Sequence, residues 1–326
     1  MLTFNRILVT GADGFVGRHL LPHLREAFPQ ATLVAAVRHA QALTPRPQAD
    51  EVLPFDLLQP EQCSAMITAA RPDGLVHLAA QASVAASFAA PLLTWQANLI
   101  GTVALAEAVL LLAPRCRFVL ASSAEVYGLS FQAPAPLDET AAIAPANPYA
   151  AAKAACDLAI GEMALRGFNA IRLRAFNQIG PGQSESFVIP AFARQLALIE
   201  AGLQEPVVRV GALDRFRDFI DVTDVCAAYA AALRCDAAPG TVYNIASGTA
   251  RRLSDVLEAL IGMTALHPAI MTDPRHLRPT DLQCVTGDGR RALSDLGWAP
   301  VVPWEQTLQQ VLEFWRRQVA GARAPC

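Results

Sequence analysis

"ILVTGADGFVGRHL", residues 7–20, sets a short apolar, β-branched run against three glycines and then an amphipathic stretch. Gly11, Gly14 and Gly17 form a G-x-x-G-x-x-G array placed where a first strand ends and a first helix begins. The spacing has a physical reading. Gly11 permits the tight turn, Gly14 lets the backbone approach a pyrophosphate, and Gly17 lets helix and strand pack closely. The helix N-terminus then offers free N–H groups and a positive dipole end to an anion.

Outward from this stretch, strand-like and helix-like segments alternate. Val16, Leu20, Leu24 and Phe28 share one helical face, and "TLVAAV", "EVLPF", "GLVHLA" and "RFVLAS" are further short apolar runs. Strands buried on both faces and alternating with helices predict an α/β fold, a doubly wound parallel sheet. Pro22 falls inside the first helical pattern and is expected to kink or shorten it. Past about Ile179 the spacing loosens and Pro and Gly become denser. The expected organisation is a Rossmann-like cofactor domain over 1–177 and a smaller C-terminal substrate lobe over 178–326, with 221–247, including "VYNIAS", returning to the sheet.

The 326 residues exceed the usual ceiling for a single core, which suits this division. The chain is 53% hydrophobic and 17% charged, a composition that excludes disorder. A net charge of −3 leaves no basic footprint for nucleic acid. The longest apolar run, Ala104 to Ala113, contains Glu107 and is too short to span a bilayer. Seven cysteines without CxxC spacing fit free thiols in a reducing cytosol. The expectation is a cytoplasmic protein without membrane or nucleic-acid partners.

Arg38 follows the second strand where an acid would accept from ribose hydroxyls, so the reading is NADP(H) over NAD(H). A solvated loop charge is the plain alternative. Asp56, after the third strand, is placed to reach an adenine ring or to cap a helix. In "NPYAAAK", Tyr149 and Lys153 stand four apart and emerge on one face of a helix. A tyrosine with a reference pKa of ~10 needs a nearby cation to serve as a base. Ser123, with Ser122 beside it, is the candidate to hydrogen-bond a substrate oxygen. His19 and His23 have metal-compatible spacing but no third ligand in view, and a solvated helix edge is the simpler reading; no metal is expected. His77 reads as a buried strand residue.

Together "TGADGFVG", "HLAA", "NLIGT", "SSAEVYG", "NPYAAAK", "RDFIDVTD" and "LRPTD" make the chain resemble the extended short-chain dehydrogenases/reductases that act on nucleotide sugars. The pieces run from Gly11 to Asp281 in the family order. The resemblance implies Ser123, Tyr149 and Lys153 as the catalytic set. It implies Phe15, Val16, Leu57, Leu78, Ala79, Ala80 and Asn98 beside the glycines, Arg38 and Asp56 around the cofactor; Asn98 is otherwise a buried amide between helices. For the sugar nucleotide it implies Ser123, Glu125, Asn177, Val188, Arg217, Arg278 and Asp281, with Arg209 a weaker candidate. An ion pair with Asp218 or Asp221 is the competing reading of Arg217.

Glu125, two before Tyr127, resembles the base of the 4,6-dehydratases. Ala124 stands where glucose-type dehydratases carry an acid and mannose-type ones a hydroxyl. The segment "RAFNQIGPGQSESFVIPAFARQ" most resembles reductases of 4-keto-6-deoxy sugars linked to GDP, with Gln178 departing from their usual histidine. The implied reaction is NADPH-dependent reduction of GDP-4-dehydro-6-deoxy-D-mannose to GDP-D-rhamnose, with Glu125 a substrate-contacting carboxylate. Alternatives are a GDP-mannose-type 4,6-dehydratase with Glu125 as base, a 4-epimerase, or a non-catalytic NADP-binding regulator. The helices over "NLIGTVALAEAVLLLA" and "AAAKAACDLAIGEMAL" are strongly apolar, and the resemblance implies that they pair between subunits in a homodimer.

Overall fold

The computed structural model describes residues 3–39, 47–133, 135–276 and 282–321. The strands Arg6–Thr10 (β1), Thr32–Val37 (β2), Glu51–Pro54 (β3), Gly74–His77 (β4), Arg117–Ser123 (β5) and Ala170–Ala175 (β6) join the later strand Val242–Ile245 in one sheet. The order is Val242–Ile245, β6, β5, β4, β1, β2, β3, and each neighbouring pair is parallel. After β3 the chain crosses back to place β4 on the far side of β1. That reversal opens a crevice above the carboxyl ends of β1 and β4, where open α/β sheets bind ligands.

Why these runs are continuously apolar is visible in the packing. Ile7, Val9, Leu33 and Ala35 belong to one core, and Leu8, Val34 and Ala36 to the other. Each of these side chains is fully buried, and such burial is worth about 1.5–3 kcal/mol for a Val, Leu or Ile. The first core lies under Phe15–Ala27 (α1) and the helix Val222–Arg234. The second lies under Gln62–Ala70 (α2) and, beyond Val84–Ala89 (α3) and Pro91–Trp95 (α4), under Thr102–Leu112 (α5) and Pro148–Leu165 (α6).

The smaller lobe has its own core. Asn177–Ile179 (β7) pairs with Phe216–Asp221, which also pairs with Ala250–Arg252 and Cys284–Val285, and Val207–Val210 pairs with Ala269–Thr272. Phe192 and Leu196 of the helix Val188–Glu200, Leu257 of Leu253–Gly262, and Leu308 and Leu312 of Trp304–Gly321 pack together beneath these strands.

Two expectations need correction. α1 continues through Pro22 to Ala27 without shortening. Pro22 forgoes one intrahelical bond, but Leu20, Leu21 and Leu24 are fully buried and hold the helix against the sheet. The apolar run around Ala104 is also part of something longer. α4, a π-helical segment Gln96–Gly101 and α5 form one 22-residue helix, Pro91–Leu112, long and apolar enough to cross a membrane by length and composition. Here it packs against α2 and α6, and Arg166 reaches Glu107 at 3.0 Å.

Candidate functional site

The turn after β1 is built as the glycine spacing demands. Gly11 has φ +65°, and a Cβ there would fall 2.8 Å from the Ala79 nitrogen. A Cβ on Gly17 would lie 2.5 Å from the Gly11 oxygen and 2.6 Å from the Ala12 Cα. Gly14 differs, since a Cβ would meet the Gly11 oxygen alone, at 3.1 Å, leaving its outer face open to a ligand. Gly14 caps α1 without a side-chain hydrogen bond. The N–H groups of Phe15, Val16 and Gly17 have no intrahelical partner and are left for an anion. This cradle fits a dinucleotide pyrophosphate.

The loop after β4 closes the other side of the crevice. The Leu78 N–H donates to the Thr10 carbonyl and the Ala79 N–H to the Thr10 hydroxyl, both at 3.3 Å, and half-buried Ala80 follows. His77 is buried with Nδ1 2.7 Å from Thr10 Oγ1 and Nε2 2.9 Å from Thr102 Oγ1. Burial, then the charge of Lys153, pulls its pKa down to about 3, so it is neutral and structural. Asn98, buried, bonds to the loop after β4. Its Oδ1 accepts from the Gln81 N–H at 2.7 Å and its Nδ2 donates to the Gln81 carbonyl at 2.9 Å. The π-helical turn aims this amide at the loop after β4, where both its polar atoms are used.

Arg38 is exposed directly after β2, with Nε 3.8 Å from Asp56 Oδ1. Asp56 accepts from the Leu58 N–H at 3.0 Å, so it organises a turn; α2 is capped by Glu61 instead. Leu57 is buried, with its carbonyl and side chain packed against Gly101.

The end of β5 and the start of α6 bring Ser123, Glu125, Tyr149 and Lys153 together. Ser123 Oγ accepts from the Glu125 N–H at 3.2 Å and is hydrogen-bonded by Tyr149. Burial pushes the Tyr149 phenol up to about 12; the Ser123 bond opposes this and the Glu125 carboxylate adds to it. Lys153 stands one helical turn beyond Tyr149 on α6. Its Nζ donates to the Ala121 carbonyl at 2.8 Å, and burial lowers its pKa against the pull of Cys156 and Asp157. Gly128 ends the motif at φ +45°, where a Cβ would collide with the Ala144 carbonyl 2.0 Å away.

Two contacts escaped the sequence reading. Asn147 caps α6 and also donates from Nδ2 to Glu125 Oε2 at 3.0 Å. Beneath the cluster lies a buried network. Asp157, fully buried, accepts from Ser122 Oγ at 2.6 Å and from Arg172 and Arg174, each at 2.9 Å. Arg174 donates to Tyr127, whose hydroxyl donates to Asn244 Oδ1 at 2.7 Å. Tyr127 is thus a core residue of its motif. No spacing rule links residues so far apart in the chain.

On the substrate side, Asn177 Nδ2 donates to the Asp218 carbonyl at 3.2 Å, and Arg217 donates to the carbonyls of Phe216 and Leu282 at 2.8 and 2.9 Å. The Asp218 carboxylate is occupied by Ser247, Gly248 and Gly287, and Asp221 by Thr223 and Thr307. Val188 opens a helix whose N-cap makes no side-chain bond. Arg209 pairs with Glu205 at 2.6 Å and touches Met271 on the two-stranded sheet. Arg278 and Asp281 lie outside the described residues. Gln178 keeps a buried Oε1 without a hydrogen-bond partner. Among the described residues no group of histidines, cysteines and acids could hold a metal.

A family model described as GDP-mannose 4,6 dehydratase matches residues 8–311. The GDP-6-deoxy-D-mannose reductase of Pseudomonas aeruginosa is 36% identical over 315 residues, covering 96% of this chain and 98% of that protein. The GDP-mannose 4,6-dehydratase of Vibrio cholerae is 30% identical over 79% of this chain and 76% of its own length. Among solved structures, RMD from Pseudomonas aeruginosa complexed with NADPH superposes with a TM-score of 0.80 at 34% identity, covering 96% of this chain and 100% of that one.

Proposed function

Because the chain belongs to the GDP-mannose 4,6-dehydratase family of extended short-chain dehydrogenases/reductases, we propose that it reduces the C4 ketone of a GDP-linked 4-keto-6-deoxymannose with NADPH, forming GDP-D-rhamnose. The observation that carries this is the Ser123–Tyr149 pair with Glu125 beside it and only buried Ala124 where a dehydratase acid would stand.

The cofactor, when bound, supplies a hydride to the carbonyl carbon. Gly11, Gly14 and the first turn of α1 would hold its pyrophosphate, Arg38 its 2′-phosphate, Asp56 its adenine and Lys153 its nicotinamide ribose. Ser123 polarises the carbonyl oxygen. Tyr149 then gives its proton to the forming alkoxide, and a phenol held protonated up to about pH 12 suits a donor better than a base. Arg217, Asn177 and Arg278 would grip the diphosphate, with Asp281 and the first turn at Val188 alongside; an arginine fork does this bidentately. The expected assembly is a cytoplasmic homodimer through α5 and α6, supported by exposed Leu111, Leu158 and Leu165 on those helices. The six described cysteines are free, which accords with a reducing compartment.

The test is nicotinamide absorbance after mixing the protein with NADPH and fresh GDP-4-keto-6-deoxymannose. Rapid loss of absorbance that disappears in Tyr149→Phe is the expected result. A second reading is favoured by one observation, the carboxylate of Glu125 against Tyr149. If NADPH persists and GDP-mannose is converted to its 4-keto form, Glu125 is a dehydratase base and the reductase assignment falls.

A further inference from the structure

Asn147 uses the two ends of one amide on two different elements. Its Oδ1 accepts from the Ala150 N–H at 2.8 Å and caps α6. Its Nδ2 donates to Glu125 Oε2 at 3.0 Å, across 22 residues of chain. Glu125 is bound in turn through its own N–H to Ser123 Oγ at 3.2 Å. Tyr149 sits two residues beyond the cap, close enough to Glu125 to feel its charge. One side chain therefore ties the start of the helix that carries Tyr149 and Lys153 to the carboxylate at the end of β5. Among the described residues the other carboxylate oxygen, Oε1, makes no hydrogen bond.

The residue type matters here. Serine, threonine, aspartate and asparagine all cap helices. Of these, asparagine alone combines a carbonyl acceptor for the cap with an NH2 donor for a carboxylate. Aspartate would cap as well but set a second carboxylate against Glu125. A serine spends its oxygen on the cap and is too short to place a donor at the same point.

Resting on the reductase reading above, we propose that Asn147 is a positioning residue for the sugar: it clamps Oε2 of Glu125 so that Oε1 is held toward a hydroxyl of the bound hexose. Asn147 acts through Glu125 and need not touch substrate. The clamp fixes one carboxylate oxygen and leaves the other free to accept from a sugar hydroxyl.

The experiment is a double-mutant cycle on the intact protein. Wild type, Asn147→Ser, Glu125→Ala and the combined variant are compared for KM and kcat with GDP-4-keto-6-deoxymannose and NADPH, alongside thermal midpoint and NADPH affinity. Asn147→Ser is expected to raise KM roughly tenfold or more, the scale of a hydrogen bond to a charged group, with NADPH affinity unchanged. In the Glu125→Ala background the same change is expected to have no further effect. An equal loss in both backgrounds, or none in either, would make Asn147 a helix cap and nothing more. Asn147→Asp, which keeps the cap, guards against a folding artefact: it should impair turnover more than serine does, and wild-type kinetics there would overturn the proposal. If wild type dehydrates GDP-mannose instead, the reductase reading fails, and the same cycle run on that reaction still decides the role of Asn147.

Discussion

At the scale of single residues the site depends on a few protonation and hydrogen-bonding states. Replacing Tyr149 with phenylalanine removes the proton donor and should lower kcat by about 10²- to 10⁴-fold in the NADPH assay. The direction of its pKa also predicts a pH profile. The donor must be protonated, and burial raises its pKa to about 12. Loss of the proton should therefore not limit reduction between pH 7 and 9. An alkaline fall in kcat/KM below pH 9 that vanishes in Tyr149→Phe would show that Lys153 or the cofactor overrides burial. Arg38→Ala should weaken NADPH roughly ten- to a hundredfold while leaving NADH affinity unchanged, read by fluorescence titration. The glycines, the Tyr–Lys pair and Arg38 are legible in the chain because each is read against its immediate neighbours. The bonds of Asn98 to Gln81 and of Asn147 to Glu125 join segments 17 and 22 residues apart, and no periodicity encodes them. A capping asparagine before Pro148 was the available signal for half of the second contact.

At the scale of elements, two buried polar groups set the stability of the sheet that carries the site. His77 lies at the end of β4, and its pKa falls from an ordinary 6.5 to about 3. The unfolded chain binds the proton more tightly than the folded one across that interval, so folding stability drops as pH falls from about 6.5 toward 3. The slope reaches about 1.4 kcal/mol per pH unit for this one group. Urea unfolding at pH 7, 5 and 4 should show it, and His77→Gln should lose that part of the pH dependence. Asp157 joins α6 to β5 and β6 through Ser122, Arg172 and Arg174. Removing its charge in Asp157→Asn leaves buried arginines uncompensated and should cost about 3–5 kcal/mol in chemical denaturation. The five apolar runs expected to be strands are β1 to β5. The continuity of α1 through Pro22 was missed because burial of its apolar face outweighs one lost hydrogen bond.

At the scale of the whole molecule, the unresolved demand is the apolar surface of the Pro91–Leu112 helix and α6. Leu92 and Leu111 are each 77% exposed and Leu165 is 89% exposed. Sedimentation of the intact protein should give a dimer. A Leu111→Glu/Leu158→Glu variant should sediment as a monomer with NADPH affinity retained, whereas an unchanged sedimentation coefficient would place the interface elsewhere.

What could be read from the linear chain is what depends on local order: strand and helix periodicity, the glycine turn and its anion-binding helix, and the four-residue spacing of Tyr149 and Lys153. Those features follow from backbone sterics and from side chains that meet within one turn. The fold had to bring the rest together. Asp218 joins the smaller lobe to the loops at Ser247 and Gly287, and Asn147 reaches Glu125. Each of these contacts joins residues distant in sequence, and its partner is chosen by where the packed sheet sets the ends of its strands.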